Sequence, residues 1–195
     1  SIVVVEKERD IGFLASGRNA PLPSSNIYAL ASDGYNLYIG TQQGARKWDG
    51  NQMTSFSQGS SWQTRPTQFF DFAVDASISG GSLYAGTNIG LCKYSIATMS
   101  INDCQNVYDG MPNWATYSVG YDNTYVYGGT TSGVGLITKS NFQHDYNWGE
   151  GTQTDNALVE TMGDIAYIGT DGLGVLRYNI TSNEWPTPFN EDGGV

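Results

Sequence analysis

The sequence predicts an all-β chain, a β-propeller of four-stranded antiparallel blades, and three observations carry that prediction. One stretch recurs four times: Leu37-Tyr38-Ile39-Gly40-Thr41, Leu83-Tyr84-Ala85-Gly86-Thr87, Val126-Tyr127-Gly128-Gly129-Thr130 and Ala166-Tyr167-Ile168-Gly169-Thr170. The copies follow one another at roughly 40–46 residues, the period of one propeller blade. No segment of any length shows the roughly 3.6-residue periodicity of an amphipathic helix. Finally, 25 glycines and 13 tyrosines in 195 residues combine strand-forming aromatics with tight turns.

Each element of the first repeat can be justified in turn. Ile27-Tyr28-Ala29-Leu30-Ala31 is a short apolar strand, and Asp33-Gly34-Tyr35-Asn36 supplies a turn. Leu37 to Thr41 is the second strand. Gln42-Gln43-Gly44 turns again into Ala45-Arg46-Lys47-Trp48, the third. Asp49-Gly50-Asn51 is a hairpin signal, because Asp-Gly accepts the positive φ of a two-residue turn. Met53-Thr54-Ser55-Phe56 closes the unit as the outermost strand.

The same grammar divides residues 1–195 into one domain with blades at 27–57, 70–108, 115–145 and 157–188. Residues 1–16 read as half of a preceding blade, and Glu191-Asp192-Gly193-Gly194-Val195 as a linker that should open another. Four blades and about half of another make a five-bladed ring or an arc of a larger propeller. An open ring exposes strand edges and apolar faces. It is completed by a longer chain (the preferred reading), by another copy, or by the two ends closing on each other. The repeated glycines lack a Cβ and let a neighbouring sheet approach. The tyrosine two positions earlier fills the wedge between blades while its hydroxyl finds a partner.

Charge narrows the partners. A net charge of −10, with 14% of residues charged, disfavours nucleic acid and anionic membrane surfaces. No apolar run approaches the roughly 18 residues that would span a bilayer as a helix, so no membrane insertion is expected.

The linkers add a family resemblance. Asn19-Ala20-Pro21-Leu22-Pro23-Ser24-Ser25-Asn26 leads into the first repeat, and Tyr108-Asp109-Gly110-Met111-Pro112-Asn113-Trp114 into the third. A Gly/Pro linker, an apolar strand, an Asp turn, an aromatic-Ile-Gly-Thr strand, then glycine before Arg46-Lys47-Trp48-Asp49-Gly50 is a recognisable order. It resembles the regulator-propeller repeat family, found in extracytoplasmic sensor regions of hybrid two-component regulators and in other secreted or surface proteins. The third repeat departs from the pattern, with Gly128 where a large residue is expected and no basic-aromatic pair in its third strand. The second-strand aromatic is always tyrosine here, where the family often has tryptophan. The resemblance implies a propeller and an extracellular, cell-surface or periplasmic location; its repeat motif brings no catalytic residues.

Little in the sequence signals catalysis. His144 is the lone histidine, beside Asp145 in what reads as a surface linker, and no triad signature accompanies it. One His and two Cys do not make a zinc site, and no cofactor is expected. Cys92 and Cys104 fall roughly opposite each other if their hairpin turns near Ala97-Thr98; they are either a disulfide or two buried thiols. Asn179-Ile180-Thr181 fits a glycosylation sequon. Asp33, Asp122 and Asp164 recur at first turns, where local hydrogen bonding accounts for them better than calcium does. A glycosidase pair could be drawn from Asp71, Asp75, Asp109, Asp155 and Glu160, but no signature selects two of them.

The linkers carry Trp62 and Arg65, then Tyr108 and Trp114, then Tyr146 and Trp148, with the amides Gln63 and Asn113. In a propeller they share a face with the Gly-Thr turns. Trp62, Arg65, Tyr108, Trp114 and Trp148 are therefore the candidate ligand contacts for a glycan or peptide, against the alternative that each tryptophan plugs the gap between blades. The expectation is a non-enzymatic binding or sensory module. A structural propeller that self-associates or packs on a longer protein is the alternative, and a polysaccharide-acting hydrolase or lyase is more distant.

Overall fold

A computed structural model describes residues 22–77, 80–148, 158–172, 174–182 and 184–185. The expected half blade at 1–16, the linker residues 19–21, Asp155 and the terminal linker at 191–195 lie outside the described residues.

The described residues form four successive antiparallel sheets, each with its strands in chain order. The first holds β1 (Ile27–Ser32), β2 (Leu37–Thr41), β3 (Gly44–Trp48) and β4 (Met53–Ser55). The second holds β5 (Phe69–Asp75), β6 (Ser82–Thr87), β7 (Gly90–Ser95) and β8 (Ile101–Gln105), and the third β9 (Ser118–Tyr121), β10 (Tyr125–Thr130), β11 (Gly133–Thr138) and β12 (Gln143–Trp148). In the fourth, β13 (Leu158–Met162), β14 (Ile165–Thr170) and β15 (Gly174–Asn179) are followed by a bridge between Asn179 and Glu184. This is the propeller architecture: the sheets are blades packed face to face.

Three apolar clusters fill the spaces between blades. Phe56, Phe69, Phe72 and Tyr94 sit between the first and second blades. Tyr84, Leu91, Val119 and Ile137 join the second and third, and Tyr127, Leu136, Val159 and Ile168 the third and fourth. The repeated glycines matter most at two of these joints. A Cβ on Gly40 would stand 2.9 Å from the Phe69 carbonyl oxygen, and one on Gly86 2.7 Å from that of Thr116. The next blade's inner segment thus passes directly over each glycine, a contact that any side chain would disrupt. At Gly169 the nearest atom is 3.6 Å away, ordinary van der Waals space.

The repeated threonine closes the turn that follows it. The hydroxyls of Thr41, Thr87 and Thr130 each donate to the carbonyl of Gly44, Gly90 or Gly133 at 2.8 Å. Those glycines have φ of 131°, 127° and 119°, a region that side chains disfavour.

The first-turn aspartates hold the wedge tyrosines. Tyr38 is fully buried and donates its hydroxyl to Asp33 at 2.7 Å, while Asp33 also accepts the amides of Tyr35 and Asn36. Tyr127 donates likewise to Asp122. Burial opposes ionisation of Asp33, but hydrogen bonds from Asn36, Tyr38 and Tyr35 overcome it and hold the carboxyl down at about 2, against an ordinary 3.8. A lowered folded-state pKa means that this stabilisation is complete above the unfolded value and disappears as pH falls through the folded one. The difference in urea midpoint between the wild type and Asp33→Asn should therefore stay level above pH ~4 and close between pH ~4 and ~2. A gap that persists unchanged at pH ~2 would refute the assignment.

The inner strands of adjacent blades are also laced directly. The Val119 amide donates to Asp71 at 2.8 Å, and the Tyr121 hydroxyl donates to the Val74 carbonyl at 2.8 Å. The Thr161 hydroxyl donates to the Tyr121 carbonyl at 2.7 Å. These bonds tie the second blade to the third and the third to the fourth.

Two expectations change. The outer strand of the third blade continues to Trp148 instead of ending by residue 145, so Tyr146 and Trp148 are strand residues, not linker residues. Ladder pairing skips Asp145 between His144↔Ile137 and Tyr146↔Leu136, and this one-residue bulge lets the strand run on. His144 belongs to that strand too. It is half-buried, its Nε2 lies 2.8 Å from the Asn147 side-chain oxygen, and Asn147 donates to the Gly110 carbonyl.

Candidate functional site

The linker leaving the first blade forms a short 3-10 turn at Trp62–Thr64. It is pinned by the Gly59 amide donating to the Thr64 carbonyl at 2.6 Å and by Arg65 Nε donating to the Gly59 carbonyl at 3.1 Å. Asn88, in the turn of the second blade, accepts the Thr67 and Gln68 amides at 3.0 Å each. The linker is thereby seated on the face that carries the Gly-Thr turns.

The next linker is built more tightly. A 3-10 turn at Val107–Asp109 carries a capping box: Asn106 accepts the Tyr108 amide at 2.9 Å, and Asp109 accepts the Asn106 amide at 3.1 Å. Such reciprocal capping satisfies donors that a short turn leaves open. Met111 then anchors the linker in the core, packed against Gly128 and Gly135, where Cβ atoms would lie within 2.8 Å of its side chain. Asn113 donates to the hydroxyls of Thr131 and Ser132 at 2.7 and 3.1 Å, and its carbonyl oxygen accepts the Trp114 amide.

These supports bring three of the expected residues together. Trp62 lies 5.8 Å from Trp114 and 6.0 Å from Tyr108, and Tyr108 lies 5.0 Å from Trp114, ring centre to ring centre. They are 56%, 38% and 68% exposed respectively. The rings thus form a surface aromatic cluster held by two linkers, in place of plugs between blades. Arg65 is exposed at the end of the turn that carries Trp62.

Trp148 does not join them. It is 8% exposed, with its ring stacked on Tyr127 at 5.2 Å and against Tyr178 at 4.3 Å. The bulge at Asp145 turns its side chain into the wedge between the third and fourth blades, so it plugs a gap and makes no part of the linker-face cluster.

A second aromatic row escaped the sequence reading. Tyr28 stacks on Phe70 at 5.8 Å, and Phe70 meets Tyr117 at 4.8 Å. Each stands where its chain enters an inner strand, and the ladder skips Tyr28 and Phe70 as bulge residues. Tyr28 and Tyr117 are 45% and 42% exposed. The available signal was the repeat register: all three precede the residue paired with the repeated glycine.

The carboxylates considered for hydrolysis are largely committed. Asp71 accepts backbone amides on both oxygens, from Phe72 and Val119. Burial foremost, with the charge of Glu160, still pushes its carboxyl above the usual range. Asp75 forms an ion pair with Lys139 at 2.6 Å, and Asp109 caps its turn. Acids held in this way act as struts between and within blades. Among the described residues no three His, Cys, Asp or Glu side chains converge as metal ligands. No described helix is long and apolar enough to cross a membrane. Cys92 and Cys104 are joined across β7 and β8, with an S–S distance of 2.03 Å.

No protein-family model matches the chain, and no curated protein does. Solved structures do match. An extracellular domain assigned to the hybrid two component system BT3049 of B. thetaiotaomicron superposes with a TM-score of 0.65 at 18% identity. That match covers 88% of this chain but only 25% of the other, so this chain spans a quarter of its length. The RRP9 WD40 repeats give a TM-score of 0.65 at 11% identity, over 83% of this chain and 50% of theirs. The computationally designed Ika4 protein gives 0.61 at 13% identity, over 80% of this chain and 93% of its own. What the chain shares with all three is the β-propeller fold.

Proposed function

We propose that the chain is a non-enzymatic propeller module of an extracellular, cell-surface or periplasmic protein, and that its linker face binds a glycan. The observation that carries this reading is the cluster of Trp62, Tyr108 and Trp114, three exposed rings held at 5.0–6.0 Å by capped and pinned linkers. Exposed aromatic groups on rigid supports mark recognition surfaces. Sugar rings present apolar C–H faces to such rings, and Gln63 and Arg65, in the same turn as Trp62, would supply polar groups for hydroxyls. The likeness to an extracellular two-component domain agrees with this location, as does a buried disulfide.

On an oligosaccharide array, the full chain should bind a limited set of glycans. Trp62→Ala and Trp114→Ala should each weaken that binding by about tenfold or more, a typical loss for an aromatic anchor. Unchanged binding in both variants, with circular dichroism intact, would refute the site.

Assembly is the second reading. Leu30, Leu158 and Met162, on the inner strands of the first and fourth blades, are 65%, 61% and 67% exposed. These are the faces a further blade would cover, in a longer protein or in another copy.

A further inference from the structure

A second aromatic site lies away from the linker cluster, in a cleft of about 640 Å³ between the outer halves of the third and fourth blades. Its walls are Tyr125, Tyr146, Trp148, Tyr178 and Trp185, with Ile180 closing the apolar side. Trp185 meets Trp148 at 5.1 Å and 72°, and Tyr178 at 5.0 Å and 56°. Tyr125 meets Tyr146 at 6.0 Å and 81°. The packed trio of Trp148, Tyr178 and Trp185 and the pair of Tyr125 and Tyr146 thus make two aromatic walls of an open box.

The polar groups of this box set what it can hold. The Tyr125 hydroxyl donates to Asp145 at 2.9 Å, which helps push the phenol up to about 12. Burial foremost, and then the neighbouring Tyr146, push the Tyr178 phenol above its ordinary value. Asp122, which accepts the amides of Thr124 and Tyr125, puts a second carboxylate behind the wall and makes itself felt at Tyr178. Among the described residues none that lines it is basic. The ladder skips Asp145 as a bulge residue, and its carboxylate stands against the hydroxyl of Tyr125, one of the wall residues. The cleft therefore offers π faces and negative potential, and the Tyr125 hydroxyl proton is already engaged.

We propose that this cleft binds a quaternary or methylated ammonium group, the cation of a choline-like or trimethyl-lysine-like ligand. Such a group needs no hydrogen-bond acceptor aimed at it. It is held by ring quadrupoles on several sides and by carboxylates at a short remove. Several inclined rings around one volume fit its roughly spherical shape, and the chain's net charge of −10 favours its approach.

The test is calorimetric titration of the full chain with choline, and in parallel with 3,3-dimethylbutan-1-ol, its uncharged isostere. Choline should bind saturably, and at least about tenfold more tightly than the isostere, since only the charge differs. Trp185→Ala should abolish the preference; Trp185 is half-exposed, so its loss leaves the blades' packing largely intact. Tyr146→Phe removes a hydroxyl but no ring and should keep choline binding, whereas Trp62→Ala, on the other face, should not affect it. No saturable choline binding, equal binding of the isostere, or binding untouched by Trp185→Ala would each overturn the proposal. A preference for neutral sugars lost in Trp185→Ala would also overturn it, by making the cleft a glycan site.

Discussion

Replacing Lys139 by methionine should lower the unfolding free energy by about 3 kcal/mol, the lower end of what breaking a buried ion pair costs. In a domain of this size that corresponds to roughly 6–12 °C in melting temperature. Lys139 follows β11 in the third blade, and its ammonium lies 2.6 Å from Asp75 at the end of the second blade's inner strand. The Asp75 side chain is fully buried and that of Lys139 is 11% exposed. The ammonium also donates to the Asp122 carbonyl at 2.9 Å and sits over the Tyr121 ring at 4.8 Å. Burial acts to raise the Asp75 pKa, but hydrogen bonds from Lys139 and Ser77 outweigh it and leave the carboxyl below its ordinary value.

Methionine keeps the aliphatic stem and removes the charge, so the loss reads out a stranded carboxylate more than lost packing. Adding Asp75→Asn should then recover part of the loss, because the uncompensated charge is gone. A drop below about 1 kcal/mol for Lys139→Met would mean that water screens the pair and that the joint rests on apolar packing alone. Because the pair joins two blades, its rupture should also make the second and third blades unfold less cooperatively.

That joint shows where the sequence stops being legible. The four Tyr-x-Gly-Thr copies made the blades visible, because each repeats one local pattern: a threonine closing a turn, a glycine just before it (under the next blade at Gly40 and Gly86) and a tyrosine two positions before the glycine. Nothing local couples Asp75 to Lys139, whose pairing depends on how one blade rotates against the next. The site was legible in the same uneven way. Trp62, Tyr108 and Trp114 lie in linkers that cross one face of a propeller, so repeat register alone put them within reach of one another. Trp148 was misplaced because one skipped residue, Asp145, prolongs the strand and sends the next aromatics to the opposite side. Bulges at Tyr28 and Phe70 hid the inner aromatic row for the same reason. A single inserted residue inverts every later side chain of a strand, and it leaves no composition signal.

The second large effect is expected at the core of the second blade. Replacing both Cys92 and Cys104 by alanine should destabilise the chain by about 2–3 kcal/mol, as removing the constraint on a short loop of the unfolded chain does. The two cysteines are directly opposed in the ladder between β7 and β8, separated by 12 residues, and almost wholly buried at 0% and 5% exposure. They pack in the cluster of Phe56, Phe69 and Tyr94 that fastens the second blade to the first. Dithiothreitol should therefore leave the folded chain's bond intact for as long as the blade stays closed, and should lower the urea midpoint only as unfolding exposes the sulfurs. Equal midpoints for the wild type and the double variant in oxidising buffer would show that the bond adds nothing beyond the packing around it. Rapid reduction of the native chain would instead mean that the second blade opens locally, and the linkers carrying Trp62 and Tyr108 could not then be the rigid supports that the glycan site requires.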